Sequence, residues 1–230
     1  MQLNLLLPFI AVFFGAVIAL YFRPKAPLGM KLILAFSGSF LLSIIVIDML
    51  PHIFEDPNNN PGIWIMIGIV FQILLELFSK GAEHGHTHHT KSNKLPWVLI
   101  SSLCIHAFME GMPLTQQPEL LIGIIVHKTP IGMVITLLLW ETQTPNYQKV
   151  LALFIFAIMT PLGGFVKENI HAFESITTTI DAVVVGVLLH ISTTILFESS
   201  AGHVFNIRKF IATIYYTLHW ALLRFEASLQ

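Results

Sequence analysis

The segment Cys104–Leu114, CIHAFMEGMPL, places a histidine and a glutamate in a largely apolar stretch. His106 and Glu110 are four residues apart, so a helix would bring both side chains to one face. A charged group inside a lipid-spanning segment costs at least about 2.5 kcal/mol, and such groups by default mark a functional position. The pair therefore predicts a polar site in the middle of an apolar helix.

The next apolar stretch holds His127, followed by Lys128 and Pro130, near its middle. Because proline has no N–H, Pro130 frees the backbone carbonyl one turn earlier. Freed carbonyls at membrane depth are tolerated where they line a cavity or a site. Two imidazoles and a carboxylate suit a borderline divalent cation such as Zn²⁺ or Fe²⁺. The candidate metal ligands are therefore His106, Glu110 and His127.

The composition indicates that these residues belong to a membrane protein. Of the 230 residues, 55% are hydrophobic and 11% are charged, and the mean hydropathy is +0.76. Soluble domains carry about 25% charged residues. The formal net charge of −1 gives no sign of nucleic-acid binding, and the expected surrounding is a lipid bilayer. The single cysteine excludes an internal disulfide and a cysteine zinc motif.

Eight apolar segments approach the length of about 20 helical residues that a bilayer requires. They are Leu3–Phe22, Leu32–Phe54, Gly62–Phe78, Leu95–Leu114, Glu119–Trp140, Tyr147–Val166, Ile176–Phe197 and Phe210–Leu223. Turn-forming sequences rich in Pro, Gly and Asn separate several of them. The predicted fold is all-α, with eight transmembrane helices in a single transmembrane domain over residues 1–230. The first span has no basic residue before it, so we expect it to be retained.

The positive charges orient these spans. Nine of the 12 Lys and Arg residues lie in or beside loops that follow odd-numbered spans, and only two lie on the opposite side. Cytoplasmic loops carry the excess of positive charge. We therefore expect a multi-pass protein of a cell membrane, inner or plasma, with both termini outside.

The longest polar connection, residues 79–94, falls on the cytoplasmic side in this orientation. It contains four histidines within six residues, namely His84, His86, His88 and His89. Neutral imidazole is the commonest metal ligand in proteins, and histidine tracts bind metal loosely. The composition thus predicts a labile metal-binding loop, with an ordinary solvated loop as the alternative.

Three short motifs resemble signatures of the ZIP family of divalent-metal transporters. HAFMEG, beginning at His106, resembles the family's HNFPEG, and HKTPIG, beginning at His127, resembles its second signature. DMLPH, beginning at Asp48, is similar to the family's HLLPE. The resemblance implies an inverted repeat, relating spans 1–3 to spans 6–8 around a central pair of helices, spans 4 and 5. It also implies that metal moves inward past a site between those two helices.

The resemblance carries His106, Glu110 and His127 over as primary-site ligands. Many members bind a second, adjacent metal through residues that are here Ala107, Lys128 and Ile131, none of which completes such a site. Lys128 is then expected to take the place of the second metal and to bridge to Glu110. The residues expected along the pathway are Asp48, His52 and His190, with Glu55 and Asp56 adding an outer acidic funnel.

These observations predict a transporter that moves Zn²⁺, or Fe²⁺ or Mn²⁺, into the cytoplasm. The metal would be transported rather than held as a prosthetic group, and the chain is not expected to be an enzyme. The partners considered are divalent ions, lipid and a second copy of the chain in a homodimer. A membrane metalloenzyme and a metal sensor are the alternatives. A metalloenzyme lacks support because no H-E-x-x-H motif occurs. A sensor would use the same ligands as a transporter, so the sequence does not exclude it.

Overall fold

The computed structural model of the chain describes residues 3–22, 27–55, 60–79 and 94–198, and every regular element in these ranges is helical. The α-helices are α1 (Leu6–Phe22), α2 (Pro27–Ile44), α3 (Leu50–Phe54), α4 (Pro61–Ser79), α5 (Trp97–Gly111), α6 (Pro118–Glu141), α7 (Asn146–Asn169) and α8 (Thr177–Glu198). Six helical segments are long and apolar enough to cross a membrane, and α1 is slightly shorter. These seven segments correspond to the first seven predicted spans. The eighth, Phe210–Leu223, lies outside the described residues, so the count of eight stays a prediction.

The second span is not one regular helix. Between α2 and α3 the chain forms a π-helical turn, Ile45–Met49, which contains Asp48. Pro51 follows at the start of α3 and cannot donate a hydrogen bond to the carbonyl four residues earlier, which explains the change of helical register there. The continuous apolar pattern did not predict this turn. π-Helical turns are frequent at functional sites.

Two further prolines set the ends of the central helices. α5 ends at Gly111 and continues as a 3₁₀ turn, Met112–Thr115, that contains Pro113. α6 then begins with Pro118, a residue suited to the first turn of a helix because its missing N–H is not needed there. The turn therefore brings α6 back across the same depth as α5.

The helices pack in close pairs: α1 along α6, α5 along α7, and α4 along α8. In each of these pairs glycines permit direct backbone contact. A Cβ at Gly132 would overlap the carbonyl oxygen of Val12, and a Cβ at Gly111 would overlap that of Thr160. Small residues allow helices in membranes to approach in this way. Because α7 also contacts α6, residues from α5, α6 and α7 come together.

The outward face of α4 is strongly apolar. Met66, Val70 and Leu77 are between 51% and 69% exposed within one chain. A soluble protein rarely leaves such a continuous apolar surface open to water. The surface fits contact with lipid, as expected for a membrane-spanning helix.

Candidate metal site

α5 presents His106 and Glu110 on one face, as the four-residue spacing predicted. Nε2 of His106 lies 3.2 Å from Oε2 of Glu110. Both residues are buried, with exposures of 3% and 0%. The carboxylate therefore sits in the interior of the helix bundle, where its partners have to come from the protein or from a bound ion.

α6 contributes His127 to the same place. One potential ligand atom from each of His106, Glu110 and His127 lies within 4.8 Å of the other two. The two imidazole rings are 6.4 Å apart between centroids and nearly perpendicular. The structure thus brings together the three residues proposed as ligands, from two helices that the sequence places on either side of a turn.

Lys128 is buried beside the same carboxylate. Its Nζ contacts Oε1 of Glu110, the oxygen that does not face His106. The ammonium group also lies 4.3 Å from the centre of the Phe156 ring, within the range of a cation–π interaction. A cation in the bundle interior requires such an anionic partner.

The structure adds Thr160 of α7, which the sequence analysis missed. Its hydroxyl donates a hydrogen bond of 3.0 Å to Oε1 of Glu110, and its side chain is fully buried. The available signal was a polar residue in the middle of an apolar span, directly before Pro161 and close to Gly163 and Gly164. The contact itself joins residues 50 positions apart, so helix periodicity does not reveal it.

Several polar atoms of the site are open to a ligand. Among the described residues, Nδ1 of His106 is buried without a hydrogen-bond partner, and Nε2 of His106 and Oε2 of Glu110 face each other without hydrogen-bond geometry. Buried polar atoms are nearly always paired, and unpaired ones call for an explanation such as a bound ion. A divalent cation coordinated by an imidazole nitrogen and a carboxylate oxygen would give these buried atoms a partner. The residues present therefore fit such an ion.

The predicted pathway residues are not part of this group of ligands. Asp48 is half-buried in the π-helical turn, and His52 is exposed, with Nδ1 3.4 Å from Oε2 of Glu55. His190 of α8 is partly buried, with Nε2 2.7 Å from Oε2 of Glu76 on α4. Glu76 thus has a partner on a neighbouring helix. Asp56 and the four loop histidines, His84, His86, His88 and His89, lie outside the described residues.

A family model described as "ZIP Zinc transporter" matches residues 79–218, more than half of the chain. The chain belongs to the ZIP zinc transporter family. Members of this family are transporters and not enzymes, in agreement with the sequence analysis. The matched region includes α5, α6, α7 and α8, and hence every residue of the candidate site.

Two relatives are similar to parts of this ZIP chain. "Protein zntD" of Dictyostelium discoideum is 30% identical over 104 residues, covering 37% of this chain and 15% of the relative. "Zinc transporter ZIP1" of Danio rerio is 23% identical over 182 residues, covering 56% of this chain and 60% of the relative. The chain thus spans less than two thirds of the length of either protein.

Proposed function

We propose that this chain carries a divalent metal cation, Zn²⁺ or a related ion such as Fe²⁺ or Mn²⁺, across a membrane into the cytoplasm. The observation that carries the proposal is the buried group of His106, Glu110 and His127, with ligand atoms within 4.8 Å of one another. Two neutral imidazoles and a carboxylate replace part of the ion's water shell halfway through the membrane. Family membership supports the same function.

The site is closed, and this favours a transport cycle with alternating access. All three ligand residues are at most 3% exposed. The two large surface grooves on the described helices, about 680 and 540 Å³, are lined by other residues. Ions could reach the site only after helices move. We expect the helices around the site, α1, α5, α6 and α7, to rock against α2, α4 and α8.

The route on either side of the site follows from the placed polar residues. On the outer side, Asp48 and the exposed pair His52 and Glu55 would attract cations. On the cytoplasmic side, His190 and Glu76 would lie on the way to the histidine-rich loop. The direction, and the outward orientation of both termini, rest on the distribution of Lys and Arg. Assembly as a homodimer stays a prediction.

Lys128 has a defined part in this proposal. Its ammonium group contacts Glu110 and stands where many relatives of this family would place a second metal. A tethered cation there would limit the site to one ion per chain. The contact with Glu110 supports this role for the second-site substitute.

Uptake into proteoliposomes tests the proposal against both alternatives. Vesicles containing the purified chain and an internal metal chelator would be given Zn²⁺, Fe²⁺ or Mn²⁺ separately. A transporter accumulates far more metal than protein over time, whereas a sensor stops at a few ions per chain. A metalloenzyme would produce chemical turnover without accumulation. Uptake no greater than in protein-free vesicles for all three metals would refute the proposal.

A further inference from the structure

We propose that Thr160 is a specificity-determining residue of the transport site, acting through the position of Glu110. Together with Lys128 it occupies one carboxylate oxygen, so that Glu110 offers a single oxygen to the metal. The protein then supplies three ligand atoms, which favours ions that accept four-coordinate geometry. This inference rests on the proposed function, and it identifies what in this chain would separate Zn²⁺ from Mn²⁺.

The two oxygens of Glu110 have different surroundings. Oε1 accepts the hydroxyl of Thr160 at 3.0 Å and also contacts Nζ of Lys128. Oε2 faces Nε2 of His106 at 3.2 Å and has no hydrogen-bond partner among the described residues. With two donors on one side, the carboxylate cannot turn both oxygens toward an ion near the imidazoles without breaking charge-assisted contacts.

α7 holds these contacts in place. Phe156 and Thr160 are four residues apart, so they lie on one face of α7 and reach the Lys128–Glu110 pair together. The backbone of Thr160 lies directly against Gly111, where any side chain would overlap its carbonyl oxygen. Thr160 is therefore fixed relative to the residue that follows Glu110, and its hydroxyl has little freedom to move away.

The number of donors affects which ion fits. Zn²⁺ has no geometric preference from its d-electrons and accepts three protein ligands with water or another group in the fourth position. Mn²⁺ suits octahedral sites rich in carboxylate, carbonyl and water oxygens. A carboxylate held to one oxygen favours the first kind of ion. Removing the Thr160 hydroxyl leaves Oε1 with Lys128 alone and makes binding through both oxygens easier.

The test compares Thr160→Val, which removes the hydroxyl, with Thr160→Ser, which keeps it. Uptake of Zn²⁺ and of Mn²⁺ would be measured separately in proteoliposomes, giving KM and the maximal rate for each ion. We expect Thr160→Val to lower the preference for Zn²⁺ over Mn²⁺ by about tenfold, chiefly through KM, since about one charge-assisted hydrogen bond is lost. Thr160→Ser should keep the wild-type preference.

Thr136→Val is the matched control. Thr136 is also a fully buried threonine of a membrane helix, and its hydroxyl has no hydrogen-bond partner among the described residues. It lies nine positions after His127, about 13 Å further along α6. We expect its replacement to leave the preference unchanged.

The outcomes separate the inference from the proposed function. If the wild type moves neither of these ions nor Fe²⁺, the proposed function fails. If transport occurs but Thr160→Val lowers the rates of both ions equally, Thr160 has only a structural role and the inference is wrong. X-ray absorption of Zn²⁺ bound to a chain that keeps Thr160 but lacks the loop histidines gives a test that does not depend on the folding of Thr160→Val. A carboxylate bound through one oxygen supports the inference, and one bound through both oxygens overturns it.

Discussion

At the scale of single residues, Glu110 is the group on which the candidate site converges. Its two oxygens meet His106 on one side and Lys128 and Thr160 on the other. A buried carboxylate needs a cation or strong hydrogen bonds to remain ionised. Lys128 supplies that cation from within the protein, while the transported ion would occupy the other oxygen only during part of the cycle.

Replacing Lys128 should therefore weaken metal binding at the core site. Lys128→Met leaves Glu110 buried without its cation, which favours the neutral carboxylic acid that binds metal poorly, and we expect an affinity about tenfold lower. The measurement is metal titration of chains in which His84, His86, His88 and His89 are serine, so that only the core site responds.

A matched control and the stoichiometry complete this prediction. Lys149 is also buried, with its Nζ 5.7 Å from the Trp140 ring centre, and Lys149→Met should not change the affinity. The chain that keeps Lys128 should bind one metal. Two adjacent metals bound through Glu110 in that chain would contradict the role given to Lys128.

Sequence and structure agree unevenly at this scale, for physical reasons. The spacing of His106 and Glu110 predicted their common face because the helix repeat is fixed. The position of Thr160 depends on how α7 packs against α5, which no local pattern in the sequence records. The partner of Glu76, His190, was missed in the same way, since each residue was read only within its own span.

At the scale of helices, the site depends on the close approach of α5 and α7. Gly111 follows Glu110 directly and touches the backbone of Thr160. The apolar segments predicted that both helices exist, because their length and hydropathy are local properties. The π-helical turn around Asp48 was not predicted, since hydropathy does not record which carbonyls Pro51 leaves without a donor.

Adding one methyl group at Gly111 should therefore damage the site. In Gly111→Ala the new Cβ would overlap the carbonyl oxygen of Thr160, forcing α5 and α7 apart. Overpacking of this kind costs about 1–3 kcal/mol, and we expect lower thermal stability in detergent and reduced uptake. Gly62→Ala is the control, because a Cβ there meets nothing within 4 Å. Equal behaviour of the two variants would show that the close contact is unimportant.

The histidine-rich loop, residues 79–94, belongs to the scale of elements because it connects α4 to α5. Replacing its four histidines by serine should preserve transport and alter metal retention or regulation, since histidine-rich composition predicts loose metal binding. Initial uptake rates and the metal retained after washing measure the two effects. Complete loss of uptake would make the loop an obligatory part of the route.

At the scale of the whole molecule, the pairing of helices supports the predicted inverted repeat. That repeat relates span 1, which is α1, to span 6, which is α7. It also exchanges span 4, which is α5, with span 5, which is α6. It therefore converts the pair formed by α1 and α6 into the pair formed by α7 and α5, and both pairs are present. The counterpart of the third pair, α4 with α8, involves the eighth span, which lies outside the described residues.

A buried ion pair joins two helices at the expected outer side. Nζ of Lys167 on α7 lies 2.5 Å from Oδ1 of Asp181 on α8, and both residues are less than 5% exposed. Removing one partner leaves a buried charge, so Asp181→Asn should lower the free energy of unfolding by about 3–5 kcal/mol. Thermal unfolding in detergent measures the direction of this change.

The matched control removes both charges. Lys167→Met combined with Asp181→Leu leaves no unpaired ion, and replacement of a buried pair by apolar residues is often neutral or stabilising. The double variant should therefore be more stable than Asp181→Asn alone. A double variant as unstable as Asp181→Asn would mean that an unpaired buried charge is not the cause of the lost stability.

The central claim is that metal crosses the membrane through the site on α5 and α6. Its most direct test is Zn²⁺ uptake into proteoliposomes by wild type, His106→Ala, Glu110→Ala and the double variant, each confirmed as folded by size-exclusion chromatography and circular dichroism. His171→Ala, at an exposed position after α7, is the control for loss of a histidine. We predict uptake near the protein-free background for all three site variants and wild-type uptake for the control. Wild-type uptake by a well-folded double variant would contradict the account.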